Sequence, residues 1–128
     1  MKLLLRNGRV VDPASGHDGV ADVLIEDGRI ARVGKGLADA GATVHDLTGL
    51  VVCPGFLDMH VHLRGPGQEW KETVETGTRA AAAGGFTGVA CMPNTEPPND
   101  SRAVTELILA QARHPGVAAS YAAGCRTQ

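Results

Sequence analysis

The sequence predicts an α/β chain in two parts: a small β-domain, or half of one, in the first fifty residues, and repeated strand–loop–helix units from about residue 51. Three observations carry this. Asn-Gly and Asp-Gly dipeptides separate short apolar runs in the first part. Apolar, strand-like runs alternate with helix-like segments in the second, and a polar cluster, Asp58 to Arg64, stands at the end of that part's first strand.

Taken in order, Leu3 to Arg6, Asn7-Gly8 and Arg9 to Asp12 read as a first hairpin, and Ala21 to Glu26, Asp27-Gly28 and Arg29 to Val33 as a second. Val23, Ile25, Ile30 and Val33 fit one buried face, while Leu3, Leu4 and Leu5 form a run that needs cover on both sides. Leu50 to Val52 and Phe56 to His62 are then extended, interrupted by Pro54-Gly55. Lys71 to Ala83 reads as a helix that stops at Gly84-Gly85 and turns an alanine face, Ala80 to Ala83, to the sheet. Trp70 reads as its anchor, close to the rim.

Phe86 to Met92 is the next strand. Asn99, Asp100 or Ser101 caps a second helix running to Arg113, His114-Pro115-Gly116 stops it, and Val117 to Tyr121 is a third strand. Such alternation implies parallel pairing through crossovers, with every strand's C-terminal end on one rim, where chemistry sits in folds of this kind. About two and a half units leave an open parallel edge, so the reading expects a chain cut short at Gln128.

Composition excludes several classes. With 128 residues, a net charge of −2, 43% hydrophobic and 20% charged residues, the chain has neither a collagen-like period nor a disordered charge excess. It lacks the basic surplus of a nucleic-acid binder, and no run approaches the ~20 apolar residues of a membrane helix, so a cytoplasmic protein is expected. Cys53, Cys91 and Cys125 form no CxxC pair and read as small buried packing residues. His17, His45 and His114 read as surface residues.

The chemistry concentrates in Asp58-Met59-His60-Val61-His62-Leu63-Arg64. Alternation along a strand puts His60 and His62 on one face, able to converge on a metal ion. A hydrogen-bonded core pair is the plainer reading of His-x-His; the position at a strand's C-terminal end, followed by a loop arginine, favours the metal. Arg64 offers a bidentate grip on a carboxylate, or is a solvated loop residue. Asn94, in Met92-Pro93-Asn94-Thr95, falls on the same rim as a two-ended hydrogen-bonding amide, or is turn chemistry between prolines. Asp58 shares the rim-side phase, as a carboxylate orienting His60 or His62 or as a buried structural group.

PGFLDMHVHLR, GQEWKETVETGTRAAAAGGFT and MPNT, in this order, resemble the dihydroorotases of the cyclic amidohydrolase superfamily, over the whole chain. The resemblance implies a metal-dependent (β/α)8 barrel whose first units occupy 52–128, preceded at 1–51 by part of a small β-sandwich. It implies reversible conversion of N-carbamoyl-L-aspartate to L-dihydroorotate in pyrimidine synthesis, with one or two zinc ions held in part by His60 and His62. Arg64 and Asn94 would hold the substrate carboxylate, and His62, Leu63 and Arg64 would line the pocket. The general-base aspartate and further zinc ligands would lie beyond residue 128, so these residues alone are expected to be inactive. Gly65, where many relatives carry glutamate, and Gly88, where a second threonine is common, depart from the pattern; Glu69-Trp70 is reminiscent of allantoinases.

Two other readings accompany this one: a non-catalytic relative acting as a scaffold for an aspartate carbamoyltransferase, and a portion of an allantoinase or hydantoinase. A homo-oligomer is compatible with each, and none involves a membrane or nucleic acid.

Overall fold

The computed structural model describes residues 1–113 and 118–126; the expectations placed on His114, the helix stop at 114–116, Val117 and Gln128 lie outside the described residues. The chain divides into two compact units, Met1–Pro54 and Gly55–Gln128.

The first unit is a five-stranded sheet of β1 (Lys2–Asp12), β2 (His17–Glu26), β3 (Arg29–Gly34), β4 (Thr43–Asp46) and β5 (Val51–Val52). The order is β3-β2-β1-β4, with β5 pairing further along β1; β1–β2 and β2–β3 are antiparallel, and β4 and β5 run parallel to β1. The Asp27-Gly28 hairpin forms as expected, with φ of 49° and 77° at its two central residues.

The expected hairpin at Asn7-Gly8 does not form. Asn7 has φ 62°, but it sits in a bulge of one continuous strand, where the register to β2 slips between Leu5 and Gly8. The pair that would close the turn is used elsewhere, Arg9 N–H donating to Leu50 O (2.9 Å) and Arg6 O accepting from Leu47 N–H (2.8 Å), while Asn7 N–H donates to the Asp22 carboxylate (2.9 Å). The extra residue switches the strand's phase, so that Leu5 before the bulge and Val10 after it pack with Val23, Ala21, Ile25 and Val52.

Leu4, Leu24 and Asp22 are buried apart from that cluster, and the 35–42 connection is tied down beside them by Leu37 N–H on Asp22 (2.9 Å) and Lys2 on Asp39 (2.8 Å). The expected buried face is only partly closed. Val23 is buried, but Ile30 is 69% and Val33 49% exposed, because β3 is an edge strand; both border an open cavity of about 420 Å³. Cys53, expected inside, is exposed where the chain leaves β5, whereas Cys91 is buried and Cys125 half-buried. His17 and His45 are exposed as expected, within β2 and β4 rather than loops.

The second unit has three parallel strands, β6 (Phe56–Val61), β7 (Phe86–Cys91) and β8 (Ala119–Ala122), in that order. Helix α1 (Val74–Ala83) lies between the first two in sequence and α2 (Arg102–Arg113) between the last two. Helix α1 begins three residues later than expected because Thr73 caps it. The Thr73 hydroxyl accepts from Thr76 N–H, and the Thr76 hydroxyl accepts from Thr73 N–H (both 3.1 Å). Gly84 ends the helix, donating to the Ala80 and Ala81 carbonyls.

Trp70 is therefore not part of α1. It is 74% exposed, with the Lys71 ammonium 5.5 Å from its ring centre. Gly77 lets α1 come close to the rim loop, since a Cβ there would meet Leu63 Cδ2 at 2.5 Å, and of the expected alanine face Ala81 packs on the core while Ala80 and Ala83 are exposed. Leu63 in turn packs with Val74, Val89 and Cys91, the core beneath the rim, joined by Val61, Ala81 and Ala112. On α2, Val104 and Ile108 face inward, and Ser101 caps its first turn at 3.5 Å from Val104 N. Among the described residues no helix is long and apolar enough to cross a membrane.

Candidate active site

Parallel pairing brings the ends of β6 and β7 side by side. Met92 N–H donates to Val61 O (2.8 Å), so the residues that follow each strand, His62 and Pro93-Asn94, emerge together. His62 Nδ1 then lies 2.8 Å from Asn94 Oδ1, a contact across 32 residues of sequence. The His60 and His62 rings are edge to face, with centres 5.2 Å apart, and both residues are exposed.

The strand is not regular at this point. Asp58 pairs with Val89 and Val61 with Cys91, three steps on one strand against two on the other, so a bulge lies at Met59 and His60. Asp58 Oδ1 accepts from His60 N–H (3.0 Å), and so holds the main chain of the bulge.

Arg64 follows with φ 64°, a left-handed backbone that an arginine adopts only where the surroundings impose it. Leu63 before it is 3% exposed in the core, and the loop after it is closed by Gly65 N–H on Leu63 O (2.7 Å) and Gln68 N–H on Arg64 O (3.1 Å). The half-buried Arg64 side chain forms no ion pair among the described residues, which leaves a guanidinium fork for an external anion. Structure thus gathers His60, His62, Arg64 and Asn94 at one end of the sheet, while the Leu63 side chain turns into the core.

Sequence reasoning missed what fixes the rim. Glu96 N–H donates to Pro66 O (2.9 Å), and Gly67, φ 99°, lies so close to Glu96 that a Cβ would stand 2.3 Å from its carbonyl oxygen. Both Glu69 carboxylate oxygens receive Gly67 N–H (3.0 Å). Asn99, considered only as a cap, is 1% exposed. Its amide donates to Ala123 O (2.9 Å) and accepts from the Thr105 hydroxyl (2.7 Å), and its N–H donates to Pro93 O (2.9 Å). A polar residue just after Pro97-Pro98 was the available signal; burial was not legible. The two glycine departures also find neighbours, since a Cβ at Gly65 would meet Gln111 Oε1 at 3.3 Å and one at Gly88 would meet Leu57 Cδ1 at 2.8 Å.

Two adjacent imidazoles are donors of the kind zinc takes, but among the described residues no third His, Cys, Asp or Glu joins them. The pair fits as part of a metal site and not the whole of one. Burial pushes the Cys91 thiol, beneath the rim, above its ordinary value.

Comparison with known proteins identifies the family and the fold. The family model described as dihydro-orotase-like matches residues 49–123. The dihydroorotase of Geobacter sulfurreducens is 58% identical, covering 100% of this chain and 30% of that protein. That of Solibacter usitatus is 62% identical, covering 88% and 26%. The chain thus spans less than a third of the length of these relatives. Among solved structures, a D-hydantoinase superposes with a TM-score of 0.81 at 33% identity, covering 95% of this chain and 26% of that one. The dihydropyrimidinase of Brevibacillus agri gives 0.81 at 32% identity with the same coverage. These neighbours bear out the fold class, an α/β chain with part of a β-sandwich followed by the opening units of an amidohydrolase barrel. With its HVHLR and MPNT segments brought together at one rim and a family match running through both, the chain belongs to the dihydro-orotase-like family.

Proposed function

We propose that these residues form the opening part of a zinc-dependent dihydroorotase, which interconverts N-carbamoyl-L-aspartate and L-dihydroorotate in pyrimidine synthesis. The observation that carries the reading is the His62–Asn94 contact near a half-buried Arg64 that forms no ion pair among the described residues. It puts nitrogen donors and an anion grip at one rim.

His60 and His62 would hold one or two zinc ions together with ligands from outside these 128 residues. Zinc, when bound, polarises the amide carbonyl and lowers the pKa of water. Arg64 and Asn94 bind the substrate's carboxylate, Arg64 through its planar fork and Asn94 through its amide NH2, and so orient the reacting amide before chemistry begins. The rim contacts from Glu96 and Asn99 hold both loops in place, so little reorganisation accompanies binding. Proton transfer falls to a carboxylate beyond these residues. By the same logic the 128 residues alone lack turnover.

The solved hydantoinase and dihydropyrimidinase structures raise a second reading, a neutral ring as substrate, but at 32–33% identity against 58–62% for the dihydroorotases. Arg64 separates the two. In the full-length protein, Arg64→Ala lowers kcat/KM for carbamoyl aspartate by about 100-fold, mostly through KM, as expected for a lost bidentate contact. Indifference to the substitution would point to the neutral ring.

A further inference from the structure

The amide of Asn94 has two ends, and the fold already engages one of them. Its Oδ1 stands 2.8 Å from His62 Nδ1, and a carbonyl oxygen only accepts, so the proton of this bond belongs to the ring nitrogen. An imidazole protonated at Nδ1 carries its lone pair at Nε2. The contact is built into the fold on both sides. Asn94 is flanked by Pro93, whose carbonyl accepts from Asn99 N–H (2.9 Å), and by Thr95, 6% exposed, whose hydroxyl donates to Pro97 O (2.8 Å). His62 is flanked by Val61, bonded to Met92, and by Leu63 in the core.

We infer that Asn94 is a positioning residue for His62: its carbonyl oxygen fixes the imidazole with Nδ1 protonated, which leaves Nε2 as the metal donor, while its NH2 group serves the substrate carboxylate. The inference rests on the proposed function and deepens it, because one amide then links the metal site to the anion site. By linkage, a carboxylate held by the NH2 group stabilises the amide orientation that supports His62, so substrate and zinc each tighten the other's binding.

The test compares two variants of the full-length protein, with zinc affinity measured by competition against a chromophoric chelator. Asn94→Ala removes both functions and weakens zinc by roughly 10- to 100-fold, the usual cost of losing a partner to a metal-bound histidine. Asn94→Asp keeps an oxygen acceptor for Nδ1–H and removes the NH2 donors. Its zinc affinity stays within about threefold of wild type or improves, because the acceptor on the ligand histidine survives, while KM for carbamoyl aspartate rises. A residue that only shapes the loop does not produce this split. If Asn94→Ala fails to fold, the aspartate variant is decisive together with the 15N shifts of the His62 ring in metal-free wild-type protein, which report Nδ1 as protonated. Unchanged zinc affinity in Asn94→Ala, equal losses in both variants, or a His62 ring protonated at Nε2 would overturn the inference. A wild-type protein that binds zinc with this Asn94 dependence but never turns over carbamoyl aspartate would overturn the proposed function instead.

Discussion

In each unit a buried side chain, Asp22 in the first and Asn99 in the second, ties separate segments together, and the two differ in charge. In the first unit Asp22, 4% exposed, receives the N–H groups of Asn7 and Leu37. In the second, Asn99, 1% exposed, gives its NH2 to Ala123 O and receives the Thr105 hydroxyl. Their partners explain the difference. Two backbone donors are best met by a group that only accepts, whereas a carbonyl and a hydroxyl need a group that can both donate and accept. The sheet that carries no candidate site residues is therefore anchored by a titratable group, and the rim that carries them by a neutral one.

The largest loss of stability is expected at Asn99. Asn99→Ala removes the buried donor to Ala123 O and leaves the Thr105 hydroxyl only its longer bond to Ser101 O (3.1 Å), and is expected to cost about 3 kcal/mol, at the high end for lost buried hydrogen bonds. Asn99→Asp should do no better at neutral pH, because a carboxylate then faces the Ala123 carbonyl. Chemical unfolding measures both; a loss below about 1 kcal/mol for the alanine variant would mean that the rim is held elsewhere.

Acid should separate the two units. The Asn7 N–H bond, with help from Leu37, holds the Asp22 carboxyl below its ordinary value against the opposing effect of burial. A carboxyl depressed in the fold contributes stability that is present above its unfolded pKa, about 4, and is lost as pH falls through the folded value. The first unit should therefore loosen below about pH 4 in a way that Asn99 cannot share. Carboxylates outside the core, half-buried Asp12 and exposed Asp18, are depressed as well, by Ser15 and Arg9, so the informative quantity is wild type minus Asp22→Asn as a function of pH. That difference should be about 2 kcal/mol at neutral pH, where the variant's NH2 meets an N–H donor, and shrink on acidification. A difference independent of pH would sever Asp22 from the acid response.

The same contrast shows what the sequence can encode. Asp27-Gly28 is legible because a two-residue turn asks for positive φ locally. Asn7-Gly8 carries a similar message, yet Asn7's φ of 62° serves a bulge. A dipeptide fixes its own backbone and not its partners, and here the groups a hairpin would have joined, Arg9 N–H and Arg6 O, bond to Leu50 O and Leu47 N–H some forty residues away in sequence. His60 and His62 were legible as a pair from strand alternation, even though a bulge at Met59 and His60 interrupts the pairing with β7. Asn94 was legible as a rim residue, but its bond to His62 depends on parallel register, which no local pattern specifies. The start of α1 was misplaced because Thr73 and Thr76 form the cap where an acidic or amide partner is the familiar signal.

The smallest expected effect concerns the thiols, and it tests whether the second unit is the tighter of the two at its core. Cys53 is exposed beside Pro54, where the first unit ends, while Cys91 is buried at the end of β7, with burial holding its thiol above the ordinary range. Thiolate is the reactive form, so Cys91 is disfavoured twice, by access and by ionisation. In the folded chain near pH 8, a maleimide or disulfide reagent should therefore modify Cys53 within minutes and Cys91 only through opening of the β6–β7 layer. Raising the pH should accelerate Cys91 less than unfolding it does, since access remains the barrier. Mass spectrometry of the labelled peptides reads the order. Equal rates at the two cysteines would show that the core under His62 and Arg64 opens freely, and the rim could not then be preorganised by the contacts that Asn99 and Glu96 make.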